Sequence, residues 1–282
     1  MTPADCSVAS LEVGESLAGT AVESVDRWLL LELNDTWAPD ALQSEALHSV
    51  RVRLADWLQS PRSRLQLIRR PGRSGKRPLF MVVDAGDKQR TSTVQLERYE
   101  DLLDVELDAL PSEPSTPICL VCVHGRRDRC CALHGSAVFR AIHSHSIDVW
   151  QTSHLGGHRF AACALWLPDG LMYGRLRAEH AGAFVASRHA GEIGDLSLFR
   201  GRCSYDRPTQ AAEILLRSRL GEGVADAIRW VSTVSESEST WDALFQSRAG
   251  EHRVRIRIED TGVLRPASCG AEPEPVTRFT EI

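Results

Sequence analysis

Lysine is almost missing from this 282-residue chain. Lys76 and Lys88 are the only two, and arginine carries nearly all of the positive charge. We attach no function to that bias by itself. Positive charge is not in excess either: the formal net charge is −5, so bulk electrostatics do not draw the chain to nucleic acid or to an anionic membrane surface. Long apolar runs are also lacking. The stretch WLLLEL at 28–33 is far short of the ~20 residues that a membrane-spanning helix needs. The opening MTPADCSVASLEVGES has neither the basic nor the apolar segment of a secretory signal. No internal repeat or low-complexity segment is visible. These absences lead us to expect a cytoplasmic protein with reduced thiols that binds neither nucleic acid nor membrane.

Cysteine, by contrast, is plentiful. Eight cysteines that form no disulfide framework need another reason to be there. Scattered ones are explained as small buried hydrophobes, which is our expectation for Cys6, Cys203 and Cys269. Clustered ones look like ligands or reactive thiols. Four of the eight, Cys119, Cys122, Cys130 and Cys131, fall within thirteen residues, and the loop SHLGGH then brings His154 and His158.

Along the chain, residues 1–24 read as an irregular lead-in. RWLLLEL at 27–33, RLQLIR at 64–69 and PLFMVV at 78–83 read as strands, the last two joined by the loop RPGRSGKR. Residues 40–58 have apolar positions near helical spacing, and 96–110 hold a second candidate helix. SEPSTP at 112–117 has the composition of a linker. After it come a strand at 118–123, a helix at 132–143, strands at 147–151, 160–167 and 171–176 with a PDG turn, and a helix at 181–189. This β-α-β-β-β-α order fits a thioredoxin-like α/β sandwich. Beyond it we expect a helix at 209–220, a strand at 228–234, a helical turn at 241–246, the alternating strand RVRIRI and a loop from Pro266 onward. The fold class is therefore α/β. It divides into an N-terminal α/β unit (1–113), itself a candidate degenerate copy of the same fold, a thioredoxin-like domain (114–200) and a C-terminal helix and strand extension (201–282) packing on the others.

Cys122 ends a strand and Cys131 opens a helix. A helix N-terminus and the nearby Arg126, Arg127 and Arg129 favour thiolate, the form that binds metal. His154 and His158 are four apart, but Gly156 and Gly157 lie between them. Each glycine costs a helix about 1 kcal/mol relative to alanine, so a loop turning both imidazoles inward is expected. Two thiolates and two imidazoles suit zinc or an iron–sulfur cluster. Zinc knuckles usually space their cysteines two to four apart. The eight residues between Cys122 and Cys131 can wrap a wider diamond of iron and sulfide, as in a Rieske-type [2Fe–2S] centre.

The run CVHGRRDRCCALHG, followed by SHLGGHRFA, LPDG and YGRL, resembles the sucrase/ferredoxin-like family, whose ferredoxin domains are thioredoxin-like. GTAVESVDRWLLLEL, FRGRCSYDRPTQAAEILLR and SCGAEPEPVTRF are similar to family segments as well. The resemblance implies that 114–200 is a thioredoxin-like ferredoxin domain in which Cys122, Cys131, His154 and His158 hold a [2Fe–2S] cluster. Cys130 is the alternate ligand, and His124, Arg127, Asp128, Gly156, Gly157 and Arg159 surround the ligands. It implies one-electron transfer by a carrier or redox sensor rather than catalysis. The donor would be a flavin-dependent reductase or similar, and the acceptor is unidentified. With neutral imidazoles the oxidised centre has no net charge, so reduction is easier than in an all-cysteine cluster: about −150 to +300 mV against about −400 mV. "Sucrase" in the family name is not matched by any carboxylate pair suited to glycoside hydrolysis.

Two other readings stay open on the residues alone. One is a structural zinc protein with an interaction role. The other is a cytosolic thiol oxidoreductase using Cys131 or Cys130. The C-x-x-C formed by Cys119 and Cys122 argues little for the second, because residues three apart on a strand face opposite sides. His124 is expected to fix the loop by a hydrogen bond, and Asp128 to cap the helix or anchor the arginines.

Overall fold

A computed structural model describes residues 5–73, 76–86 and 88–282. Residues 1–4 of the lead-in and 74–75 of the loop RPGRSGKR lie outside the described residues. The rest of the lead-in is not all irregular: α1 (Cys6–Glu12) buries Cys6 and Ser10, one helical turn apart.

The first strand, β1 (Arg27–Glu32), is buried from Trp28 onward, as a strand covered on both faces must be. β2 (Ser63–Arg69) runs parallel beside it, and β3 (Leu79–Asp84) runs antiparallel on its other side. Next to β3 lies β4 (Arg90–Gln95), whose polar sequence RTSTVQ gave no strand signal. The helix expected over 40–58 is broken. Short 3-10 turns at Ala41–Gln43 and Glu45–Val50 precede α2 (Arg51–Trp57). Extended Ser44 interrupts the helix, and its hydroxyl accepts the Ala38 amide at 3.1 Å. The segment 96–110 likewise folds into 3-10 turns at Tyr99–Asp104 and Leu107–Ala109, separated by extended Val105. Within the SEPSTP stretch, β5 (Glu113–Pro114) pairs with β4.

The expected β-α-β-β-β-α order follows: β6 (Ile118–Cys122), α3 (Arg129–His143), β7 (Val149–Thr152), β8 (Ala164–Leu167), β9 (Leu171–Tyr173) and α4 (Ala181–His189). β10 (Phe199–Arg202) then pairs with β9. All ten strands form one mixed sheet in the order β10-β9-β8-β6-β7-β2-β1-β3-β4-β5, so the α/β class is borne out. The order and directions of β7-β6-β8-β9 repeat those of β2-β1-β3-β4. The two sets meet where β2 and β7 pair antiparallel, Ile68 opposite Thr152.

The sheet's faces carry separate cores. α3 and α4 cover Cys119, Val121, Val149 and Trp166, while α2 and the 3-10 turns cover Leu29, Leu31, Leu65 and Leu67. The other alternate positions, Trp28, Leu30, Ile68, Leu120, Trp150 and Leu165, form one continuous core with Leu17, Ala21 and Val25 of the lead-in.

After β10, α5 (Arg207–Leu220) starts where the Asp206 side chain accepts the Thr209 amide at 2.8 Å and ends at left-handed Gly221. Then β11 (Ile228–Ser237), β12 (Thr240–Ser247), β13 (Gly250–Pro266) and β14 (Pro273–Glu281) form an antiparallel meander. Two expectations fail here. The supposed helical turn at 241–246 is strand β12, which buries Ala243 and Phe245 at a period of two. The supposed terminal loop contains β14, which buries Val276 and Phe279 against the meander and α5. The β13–β14 hairpin returns the chain to α1. Among the described residues no helix is long and apolar enough to cross a membrane.

Gly135 sets the seating of α3 on β6. A Cβ at that position would lie 1.9 Å from the backbone oxygen of Cys122. Gly135→Ala must therefore displace the helix or the strand end. We expect a stability loss of about 1–3 kcal/mol, seen in urea unfolding as a lower midpoint at unchanged slope.

Candidate metal centre

The parallel strands β6 and β7 run out at the same end of the sheet, β6 at Cys122 and β7 at Thr152. Loops beyond the carboxyl ends of parallel strands form the crevice in which open α/β sheets place ligands. The loop after β6 ends at Asp128. Its Oδ1 accepts the Cys130 amide at 2.9 Å and so starts α3. That places Cys131 in the first turn of α3, beside Cys122. The loop after β7 carries His154 and turns through Gly156 (φ +91°) and Gly157 (φ +68°) into a 3-10 turn at His158–Phe160. The expected loop between the histidines is thus present. Gly157 is required twice over: by its left-handed backbone and because a Cβ would sit 2.4 Å from Nη2 of Arg200.

The Sγ atoms of Cys122 and Cys131 and a ring nitrogen of His154 lie within 4.8 Å of one another. Cys131 Sγ is 3.7 Å from His154 Nδ1. The His158 ring stacks on His154 with centroids 5.0 Å apart. Its Nε2 faces Asp128 Oδ2 at 3.8 Å, whereas its Nδ1 is buried with no hydrogen-bond partner. Buried polar atoms are nearly always partnered, so this one needs a reason. A hydrogen bond from the Cys131 thiol, with help from His154, holds the Cys122 pKa well below the usual thiol range. The Cys131 pKa is pushed far up by that same bond and by burial. Burial also lowers the pKa of His158, which favours the neutral, ligand-ready imidazole. Two buried cysteines beside His154, with His158 stacked on that ring, can bind a thiophilic metal centre. The donor set fits both zinc and a [2Fe–2S] cluster.

The surrounding residues divide. His124 is buried, and its Nδ1 accepts the His154 amide at 3.2 Å, which ties the two ligand loops together. Arg126 and Arg127 are exposed, and Arg129 pairs with Asp5 at 2.6 Å. Arg159 is bound by Glu15 at 2.9 Å. Cys130 lies with Cys6 and Cys269 on the other side of the α3 start, 3.7 and 3.3 Å from their sulfurs. Cys6 and Cys269 are therefore not scattered packing residues, whereas Cys203 is buried in the shared core. Cys119 faces α3 and Cys122 the opposite core, as strand alternation requires. Cys163 is buried 3.3 Å from the Phe160 carbonyl, its pKa pushed up to about 11 by burial.

Four contributors were invisible to motif reading. Arg200, fully buried on β10, donates to the Gly156 carbonyl at 3.0 Å and to Thr20. Arg64 of β2 donates to the His154 carbonyl at 3.2 Å. Buried Gln66 accepts from Thr152 and Ser153 at 3.2 and 3.0 Å, fixing the chain just ahead of His154. Glu15, itself buried, receives Arg159, two bonds from Arg265 at 2.8 and 2.7 Å, and Ser10. The only sequence signal was an arginine inside the family-like FRGRCS segment.

The family model described as sucrase/ferredoxin-like matches residues 17–201, and the chain belongs to that family. Among solved structures, a thioredoxin-like [2Fe–2S] ferredoxin from Aquifex aeolicus aligns at 18% identity over 29% of this chain and 88% of its own, with a TM-score of 0.26. Two cysteine-to-serine variants of that ferredoxin align at 18% identity over 31% of this chain and all of theirs, with TM-scores of 0.28. No curated protein matches the chain.

Glu15 yields a pH prediction. Burial by itself pushes its carboxyl pKa up, but the hydrogen bonds from Arg265 and the charge of Arg159 bring it below the usual 4.5. A carboxyl depressed in the folded state stabilises fully above its unfolded pKa, and that stabilisation is lost as pH falls through the folded value. Glu15→Gln leaves Arg159 without its counter-charge and Arg265 with only Glu274, and should cost about 3–5 kcal/mol at neutral pH. Urea unfolding of both proteins should show the difference shrinking once pH drops below about 4.5.

Proposed function

We propose that this protein is a one-electron carrier in which Cys122, Cys131, His154 and His158 hold a [2Fe–2S] cluster. When bound, the cluster supplies a single reversible electron. The observation that carries this reading is the convergence of Cys122, Cys131 and His154 from separate loops, with the ring of His158 stacked on His154 and its Nδ1 unpartnered. Nδ1 of His154, which faces Cys131, and Nδ1 of His158 are the donor atoms we assign. As a ligand, Nδ1 of His158 would gain the partner it lacks.

The chain's own residues then have defined tasks. Cys122 and Cys131 are buried and shield one side from water, while His154 and His158 are half-buried and face the surface. The histidine edge is therefore the exit route for the electron. Asp128, facing Nε2 of His158, orients that ring and raises its basicity. Arg64 and Arg200 hold the histidine loop by its carbonyls, keeping it in place through a change of charge. Arg126 and Arg127 give the site a basic rim on which an acidic redox partner can dock. We propose a flavin-dependent reductase or similar protein as donor.

The test is anaerobic purification with visible absorption, iron and sulfide assay, and EPR after dithionite. About two irons and two sulfides per chain are expected, and Cys122→Ser should lose both. A colourless protein without iron or sulfide refutes the reading. If such a protein bound zinc at Cys122 and Cys131, it would support the structural-zinc alternative. Selective alkylation of a low-pKa thiol in metal-free protein, with redox activity surviving His154→Ala, would support the thiol enzyme. His154→Cys or His158→Cys, reconstituted, should move the potential from the range of about −150 to +300 mV toward about −400 mV, since each adds a thiolate charge.

A further inference from the structure

Three thiols brought together from the two ends and the middle of the chain call for an explanation of their own. Cys6 comes from α1, Cys130 from the first turn of α3, and Cys269 from the turn between β13 and β14. Their sulfurs form a triangle with sides of 3.7 Å (Cys6–Cys130), 3.3 Å (Cys130–Cys269) and 3.7 Å (Cys269–Cys6). The carboxylate of Asp128 closes the fourth corner, 3.3 Å from Cys269 Sγ and 3.8 Å from Cys6 Sγ. Cys6 and Cys130 are fully buried and Asp128 nearly so.

We propose that Cys6, Cys130, Cys269 and Asp128 form a second metal site, one that binds a single zinc ion. A tetrahedral ion with Zn–S bonds of about 2.3 Å holds its sulfurs about 3.8 Å apart, close to the triangle observed. So tight a triangle surrounds one ion and leaves no room for bridging sulfides. Three thiols and a carboxylate form a soft, anionic donor set that selects zinc over magnesium or calcium. On binding, the three thiols release three protons and the carboxylate binds as it stands. The protein already supplies outer partners. Ser7 Oγ donates to Cys130 Sγ at 3.3 Å, and the amides of Cys130 and Cys269 donate to Asp128 at 2.9 Å each. No open coordination position is needed, so the ion is structural. It staples α1 and the β13–β14 turn to the start of α3, the helix that carries Cys131. The expected zinc count rests on the reading that the first centre holds iron and sulfide, which are measured on the same sample.

The experiment uses the full chain purified from zinc-replete medium, with zinc, iron and sulfide measured on the same sample. One zinc per chain is expected. Cys6→Ser and Cys269→Ser should lose it while iron, sulfide and the visible spectrum stay as in the wild type. Cys203→Ala, a buried thiol elsewhere, should keep its zinc. Because a variant can misfold, wild-type protein is also exchanged with cobalt(II), which should give the intense visible bands of a tetrahedral thiolate site. Zinc should fall to near zero with chelator, and the melting temperature should fall with it. Wild-type protein that binds neither zinc nor cobalt overturns the proposal. So does a zinc content that Cys6→Ser and Cys269→Ser leave undiminished, or a disulfide joining Cys130 to Cys269.

Discussion

One buried carboxylate joins the parts of this molecule. Asp128 starts α3 by accepting the Cys130 amide, takes the Cys269 amide from the far end of the chain and faces Nε2 of His158. Burial opposes its ionisation, yet the two amides, the Cys269 thiol and His158 hold its pKa below the ordinary aspartate value. The charge is therefore held in a water-poor pocket by fixed dipoles, where electrostatic contacts are stronger than at a surface. Replacing it would release a helix start, a chain end and an imidazole orientation together. Only the first of these was legible in the sequence, because an aspartate just before a helical run signals a cap, while its distant partners leave no local pattern.

The motif stretch was legible for a physical reason: its elements are local. A strand ending in Cys122, a capped helix opening with Cys131 and a two-glycine turn between histidines each leave a pattern of apolar spacing or backbone need. What decides their mutual placement does not. Arg64 and Arg200 reach the histidine loop from β2 and β10, and arginines that grip a carbonyl look like any other arginine in a sequence. The helix over 40–58 was misread because apolar spacing survives when extended Ser44 splits the segment. β12 and β14 were missed because their strand character comes from cross-strand partners, not from a strong β-branched run.

The termini carry a similar lesson. The family match begins at residue 17 and ends at 201, so Cys6 and Cys269 lie outside it while Cys130 lies inside. Cys6, Cys130 and Cys269 drew attention, if at all, as packing residues or as a rival ligand. The long β13 strand changes that. Its end brings Arg265 to Glu15, and the turn beyond brings Cys269 to Asp128. Closing a loop that runs nearly the length of the chain costs entropy that grows only slowly with length. A few buried, charge-assisted contacts at the closure are enough to hold it.

Among the described residues the N-terminal half groups no metal-ligating set of its own, and the repeated strand order shows what stands in its place. Aligned by register, Glu32 at the end of β1 corresponds to Cys122 at the end of β6, and Ile68 on β2 corresponds to Thr152 on β7. Where the second half places a thiol, the first places a carboxylate. Arg73 binds it by bonds of 2.9 to 3.1 Å, and the Leu79 amide binds it at 3.1 Å. Glu32 is fully buried and its lone pairs are engaged, so the position is closed to an ion. The same half instead presents Arg64 and Gln66 on the face it shares with Trp28 and Leu30, toward the loop that bears His154. Antiparallel pairing of β2 with β7 makes this possible, because it lays the outer strand of one half directly against the strand that feeds the histidine loop of the other. The first half thus serves the centre of the second.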